Sequence, residues 1–460
     1  MTPPATNRSR RPDVVLVLAD QWRGQDQGWA GNAEVATPRL DALARTGVAV
    51  GGACANHPVC GPSRASLLTG LLPHDHRAVA NDLPLVDGVP TLGTALRDLD
   101  YRTGWIGKWH LEGLPRDSGI RPGRRGFDWF ATTNCSHDYL DGHYYTGEDL
   151  HRVDFTGYEP HVQTELARAF LDQPGDQPTF LVVSYGPPHD PYPDVPPEYR
   201  ERYDADALTP RANAGTDAES RERLAQYYAG ITAVDEQIGA LVDHLADRGR
   251  LDDTLIVVTS DHGDMLGSHG RRAKQVPYAE AVRVPMVWHW PNGLAPRRLD
   301  DGLVGLVDLA PTVLDLVDGP ALPGVYGRSF VGALRGVGAL RDRVLLGNVV
   351  SVDEGWRQGV GEWRGFVDAT TTYARSVDGS PWLLFDDGAD PWQQVNLVDD
   401  RTASRRLAEA DRRLDALLAE AGDDELPAEP LLRRLGLVER WNDRERELNG
   451  AEGRPLAVVA

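Results

Sequence analysis

Four short runs of consecutive apolar residues mark the first 260 positions, at 14–19, 105–107, 180–185 and 254–259. Runs apolar at every position, not every second one, suit strands buried on both faces, as in parallel sheets. Helical patterns lie between them, at 38–45 and 223–245. Strands alternating with helices predict an α/β fold around one large, mostly parallel sheet. Each run is followed closely by residues that carry chemistry: Asp20-Gln21, Lys108-Trp109-His110, Pro187-Pro188-His189-Asp190 and Asp261-His262-Gly263. Ligands of such sheets bind beyond the carboxyl ends of the strands, so these residues are predicted to meet there.

The pattern changes near residue 335. Short runs at 344–346, 365–367, 373–375 and 382–385, with the turn signal Asp378-Gly379, predict a small antiparallel sheet. A helix should follow, with Leu407, Leu414, Leu417 and Leu418 on one side and Gly422 as its stop. From Asp423 the chain is charged and contains Pro427 and Pro430. That tail reads as a surface extension or as a contact in a homo-oligomer. The expected division is a catalytic α/β domain over 1–335, an α+β subdomain over 336–425 and an extension over 426–460.

Composition narrows the function classes. The 460 residues carry 48 Lys and Arg against 69 Asp and Glu, a formal charge of −21. This argues against nucleic acid as a partner, but a few cations in a pocket can still hold a small anion. Three cysteines make no disulfide framework and suit a reducing compartment. The N-terminal segment is basic, and its short apolar run ends at Asp20 without a small-residue cleavage site. It reads as a first core strand, not as a signal peptide. No stretch approaches the ~20 apolar residues of a membrane span, so no membrane partner and a cytoplasmic location are expected.

The sharpest motif is Cys60-Gly61-Pro62-Ser63-Arg64-Ala65-Ser66-Leu67-Leu68-Thr69-Gly70. Pro62 suits the first turn of a helix and Gly70 its end. Cys60 would then sit at the helix N-terminus, where free N–H groups favour an anion, with Arg64 one turn further on. A cysteine before a helix is also a common packing device.

The longer string resembles the signature of the sulfatase family, whose cysteine is oxidised to formylglycine. Further blocks resemble the family's in the same order: Gly107-Lys108-Trp109-His110-Leu111, Pro187-Pro188-His189, Thr259-Ser260-Asp261-His262-Gly263, and Lys274 followed by Tyr278 to Pro285. Val307-Asp308-Leu309-Ala310-Pro311-Thr312 and Asp390-Pro391-Trp392 are similar to later blocks, so the resemblance spans nearly the whole chain. It implies an alkaline-phosphatase-like fold and hydrolysis of a sulfate monoester by a formylglycine hydrate at position 60. It implies a divalent metal held by Asp20, Gln21, residue 60, Asp261 and His262. Oxygen ligands favour Ca²⁺ or Mg²⁺ and a histidine admits Mn²⁺ or Zn²⁺; Ca²⁺ is the expectation. Arg64, Lys108 and Lys274 would surround the sulfate, His110 would deprotonate or orient the hydrate, and His189 would protonate the leaving alcohol. The implied partners are a small anionic ester and a formylglycine-generating enzyme.

Two positions depart from the family pattern. Gln21 stands where many members have a second Asp, and Glu112 precedes Gly113 where glycine usually follows directly. Asp-Gln with Trp22-Arg23 also resembles phosphonate monoester and phosphodiester hydrolases of the same chemistry, which remain an alternative. A metal-binding pseudoenzyme with unmodified Cys60 is a second. The aromatic, His-rich segment 134–145 could line a pocket or pack as an ordinary loop. Arg328 and Arg271-Arg272 read as surface or packing residues.

Overall fold

The computed structural model describes residues 11–457. Residues 1–10, read above as a basic lead-in to the first strand, lie outside the described residues. The large sheet contains β1 (Asp13–Asp20), β2 (Val48–Val50), β3 (Arg102–Lys108), β4 (Trp129–Thr133), β5 (His143–Thr146), β6 (His151–Asp154), β7 (Thr179–Pro188), β8 (Thr254–Ser260), β9 (Met286–His289) and β10 (Arg297–Leu299). Their order is β10-β2-β9-β8-β1-β7-β3-β4-β5-β6. The centre, from β8 through β1, β7 and β3 to β4, is parallel. Antiparallel pairs occur only toward the edges, at β9 and at β5 and β6.

The continuous apolar runs have the predicted cause. Along β1, Val14, Leu16 and Leu18 enter one core, while Val15, Val17 and Ala19 enter the other. Alternate side chains leave a strand on opposite faces, and here both faces are covered. One layer holds helix α1 (Pro38–Thr46), α3 (Glu159–Leu171) and the 30-residue α4 (Ala218–Asp247). The other layer holds α2 (Cys60–Thr69) together with the helix Leu309–Leu316.

The second sheet is antiparallel, with β11 (Arg343–Asn348), β12 (Trp363–Asp368), β13 (Thr371–Ser376) and β14 (Pro381–Asp386) in sequence order. The predicted helix is α5 (Ser404–Ala421), which buries Leu414, Leu417 and Leu418. Gly422 ends it with φ 64°, a left-handed angle that costs glycine little. The segment after Asp423 differs from the surface extension read in the sequence. It forms α6 (Ala428–Arg434) and α7 (Val438–Asn449), whose Leu431, Leu432 and Trp441 pack with Val79, Leu83 and Val350. Its charge is real, but its few apolar residues fall on one side and are enough to anchor it. Among the described residues, no helix is long and apolar enough to cross a membrane.

Candidate active site

Cys60 opens α2, with Val59 as the extended residue before it and Pro62 inside the first turn. Gly70 closes the helix at φ 69°, its N–H bonded to the Ser66 carbonyl. The whole helix is buried, so its N-terminus delivers Cys60 into the interior at the carboxyl ends of β1 and β8. The Cys60 Sγ lies 3.1 Å from His262 Nε2 and 3.8 Å from Asp20 Oδ1. Ligand atoms of Asp20, Cys60, Asp261 and His262 all fall within 4.8 Å of one another.

Features at three strand ends make this convergence possible. The β1–β7 register shifts between Ala19 and Asp20, and Gln21 adopts φ 71°. His110, just past β3, has φ 56°. Non-glycine residues in the left-handed region are strained by about 1–3 kcal/mol and cluster at functional sites. Beyond β8, Gly263 is required by space, since a Cβ there would lie 2.0 Å from the Glu280 carbonyl oxygen.

Arg64 braces the acidic ligands from below. Its Nε donates to Asp261 Oδ2 at 2.9 Å, and its Nη2 lies 3.2 Å from Asp20 Oδ2. Its Nη1 donates to the Lys108 carbonyl and the Ser184 hydroxyl. Lys108 Nζ is 2.6 Å from Asp20 Oδ2 and 4.0 Å from Cys60 Sγ. Lys274 Nζ donates to Gln21 Oε1 at 2.9 Å and to His189 Nε2 at 2.8 Å. All of these side chains are buried. Burial alone would raise the Asp20 carboxyl, but Lys108, His189, Arg64 and His262 hold it well below the usual range. Burial and Asp20 push the Cys60 thiol up, while Lys108, Lys274 and His262 overcome them and bring it down to about 5. This pocket therefore stabilises negative charge at residue 60.

The two histidines sit in opposite electrostatic settings. Burial, Lys274 and His137 hold His189 well below its ordinary value, so it is neutral. With its Nδ1 bonded to the Asp190 carbonyl, its Nε2 accepts from Lys274. Burial also presses His110 down, but Cys135 and the Asp82 carboxylate outweigh it and hold His110 well above its ordinary value. His110 Nε2 is 3.3 Å from Asp82 Oδ1, and its buried Nδ1 has no hydrogen-bond partner among the described residues.

The structure thus gathers Asp20, Gln21, Cys60, Arg64, Lys108, His110, His189, Asp261, His262 and Lys274 in one connected cluster. Sequence reading missed several neighbours. Asn81 accepts the Gly61 N–H, and Asp82 supports His110. Both occupy a loop with no pattern to single them out. His137, from the segment left open between pocket and packing, stacks on His189 at 4.3 Å and contacts Lys108 at 3.3 Å. Glu354, beyond the second sheet's first strand, approaches Lys274 at 3.9 Å. Gln21 uses its amide nitrogen on Asp264, the residue after Gly263, which the motif itself could have flagged. Glu112 pairs with Arg124 across its loop, away from the reacting centre. Arg328 pairs with Glu420 at the surface.

The Sulfatase family model matches residues 12–319, the stretch that carries every one of these ten residues. The chain belongs to the sulfatase family. This sulfatase is 34% identical over 423 residues to the ulvan-active sulfatase of Formosa agariphila, covering 90% of its own length and 82% of the relative's. It is similar to the yidJ sulfatase structure from Bacteroides fragilis, with a TM-score of 0.82 and 28% identity over 92% of this chain and 98% of that one. The phosphonate monoester hydrolase of Agrobacterium radiobacter shares the fold at a TM-score of 0.74 and 23% identity, over 89% of this chain and 96% of that one. Family and site together make this a sulfuric ester hydrolase with a divalent-metal site and a cysteine placed for conversion to formylglycine.

Proposed function

We propose that the ten clustered residues are the catalytic set and that the resident metal is Ca²⁺, held by Asp20, Gln21, Asp261, His262 and matured residue 60. The donor set fits such an ion: two buried carboxylates and an imidazole lie around the Cys60 position, with Arg64 and Lys108 on the far carboxylate oxygens. When bound, the cation would lower the cost of negative charge on the nucleophilic oxygen. Oxidation of Cys60 by a formylglycine-generating enzyme would supply a hydrate, one hydroxyl serving as nucleophile toward sulfur and the other allowing sulfate to leave by C–O cleavage.

The chain's own residues do the rest. Lys108 and Lys274 flank residue 60 and offset charge on the sulfate oxygens. His110 orients residue 60 from the Asp82 side. His189, neutral and accepting from Lys274 at its Nε2, would relay the Lys274 ammonium proton to the alcohol oxygen as its bond to sulfur breaks, leaving Lys274 neutral. The carrying observation is that Arg64, Lys108, Lys274 and His262 all surround one buried helix N-terminus. The ulvan-active relative supports a sulfated saccharide as the substrate class.

The test compares turnover of an aryl sulfate, a phosphonate monoester and a phosphodiester by protein coexpressed with a formylglycine-generating enzyme. Mass spectrometry of the peptide around residue 60 accompanies it. Sulfate-ester turnover should dominate and require the aldehyde. Faster turnover of the phosphorus esters would overturn the substrate reading. Retained sulfate release by protein whose residue 60 is wholly cysteine would overturn the nucleophile. Metal analysis of the active protein should return calcium.

A further inference from the structure

Away from the reacting centre, two cavities adjoin along the β10 edge of the large sheet. They enclose about 420 and 360 Å³ and share Trp29 and Arg298 in their walls. Five arginines line the pair, Arg45, Arg211, Arg283, Arg297 and Arg298, against two carboxylates, Asp41 and Asp300. On a chain of charge −21, this is a local reversal of sign.

The arginines are presented in an ordered way. Arg298 lies over the Trp29 ring at 5.2 Å, donates to the Trp29 carbonyl and pairs with Asp300. Arg211 lies over Trp392 at 4.6 Å and pairs with Glu280. Planar guanidinium groups held on aromatic faces keep edge N–H groups for bidentate contacts to oxyanions. Two further donors in the first cavity are unspent. Gln25 Nε2 and Trp29 Nε1 are buried and have no hydrogen-bond partner among the described residues.

We infer that this pair of cavities is a second binding site, for a saccharide bearing more than one sulfate, with Trp29 and Arg298 forming the ridge between two sulfated units. Sulfate groups match the guanidinium edges, and ring hydroxyls match the indole and amide donors. The geometry relates the site to catalysis. Strands β2 and β10 run parallel to β1 and β8, so Gly51, Asp300 and the first cavity lie at the same, carboxyl, end of the strands as Asp20 and Asp261. From β8 to β10 is three strand spacings, about 14 Å. A polymer bound here would hold its neighbouring units near the catalytic mouth. The inference rests on the sulfated-saccharide reading above, but its binding test is independent of turnover.

The experiment measures binding of dextran sulfate to the full-length protein by titration calorimetry, with neutral dextran, inorganic sulfate and duplex DNA of matched length as comparisons. Dextran sulfate should bind, neutral dextran should not, and the R45A/R297A/R298A variant should weaken dextran sulfate by about tenfold or more. Turnover of a small aryl sulfate should stay unchanged in that variant, which also reports its folding. Should the triple variant be poorly folded, Arg298→Glu alone should show the same selective loss. Equal dextran sulfate binding by wild type and a folded variant overturns the site. DNA binding as tight as dextran sulfate binding, lost with the same arginines, overturns the saccharide in favour of nucleic acid. Absence of aryl sulfate turnover with arginine-dependent dextran sulfate binding would leave this site standing and count against the catalytic reading alone.

Discussion

At the scale of single residues, position 60 separates chemistry from stability. Cys60 has little bulk, and the cations around it act on its charge. Cys60→Ala should abolish sulfate release while shifting the thermal midpoint by only about 1 °C, about 1 kcal/mol. Arg64→Ala should lose both properties. It strips two buried carboxylates of their shared partner, a change of about 3–5 kcal/mol visible in denaturant unfolding. His189 can be tested through its substrate. If it supplies the alcohol's proton, His189→Asn should slow an alkyl sulfate about 10²-fold or more and an activated aryl sulfate much less. Equal losses in kcat on both would point to a role in binding or positioning.

At the scale of elements, the nucleophile helix α2 is supported by a buried histidine, with a second one close by in sequence. His76, in the turn Pro73–His76, bonds the Ser66 hydroxyl through its Nε2 and the Ala78 N–H through its Nδ1. Burial, with His74 beside it, holds His76 down at about 3. His57 is held well below its ordinary value by burial and by Arg364 and His76, against the pull of Asp423. Both are neutral in the fold, whereas in the unfolded chain each takes up a proton below about pH 6.5. Their contribution is therefore full above pH 6.5 and is lost as pH falls below it, for His76 down to about 3, at about 1.4 kcal/mol per unit while a group titrates only in the unfolded chain. The thermal midpoint should drop between pH 6.5 and 5, and His76→Gln should flatten that slope. An identical slope in the variant would refute the assignment.

At the scale of the whole molecule, the C-terminal segment is part of the site's support. Arg444, on α7, donates to the Asn81 carbonyl at 2.9 Å, pairs with Asp353 at 2.6 Å and with Glu445 at 2.5 Å. Asn81 holds the Gly61 N–H and the adjacent Asp82 holds His110. The last helix thus reaches the nucleophile through one loop. Arg444→Ala should destabilise by about 3–5 kcal/mol, because the buried Glu445 loses its charged partner and keeps only neutral donors from Asn449 and the Arg454 N–H. It should also lower kcat more than it raises KM, since substrate does not touch Arg444. Unfolding curves and steady-state kinetics of the same sample check both expectations.

Much of this was legible in the chain. Strands buried on both faces must be apolar throughout, so β1, β3, β7 and β8 announced themselves, and chemistry at their ends marked the site. The motif around Cys60 specified a helix start because Pro62 and Gly70 carry their own backbone preferences. The outer strands β10 and β6 and their neighbours β2 and β5 were not legible, being short and, in β5, β6 and β10, partly exposed and polar. The tail's anchoring was hidden because a handful of leucines on short helices gives no long period to read.

What the sequence determined by itself is whatever depends on local periodicity and motif: the layered α/β fold, the buried helix start at Cys60 and the ligand types at the strand ends. Only the tertiary structure decided what depends on distant partners. It made His189 neutral and His110 cationic, recruited Asp82, His137 and Glu354 to the site, and turned the acidic tail into a brace. The physical reason is that a side chain's charge and hydrogen bonds are set by what folding brings within a few ångströms, and neighbours in the chain do not determine that.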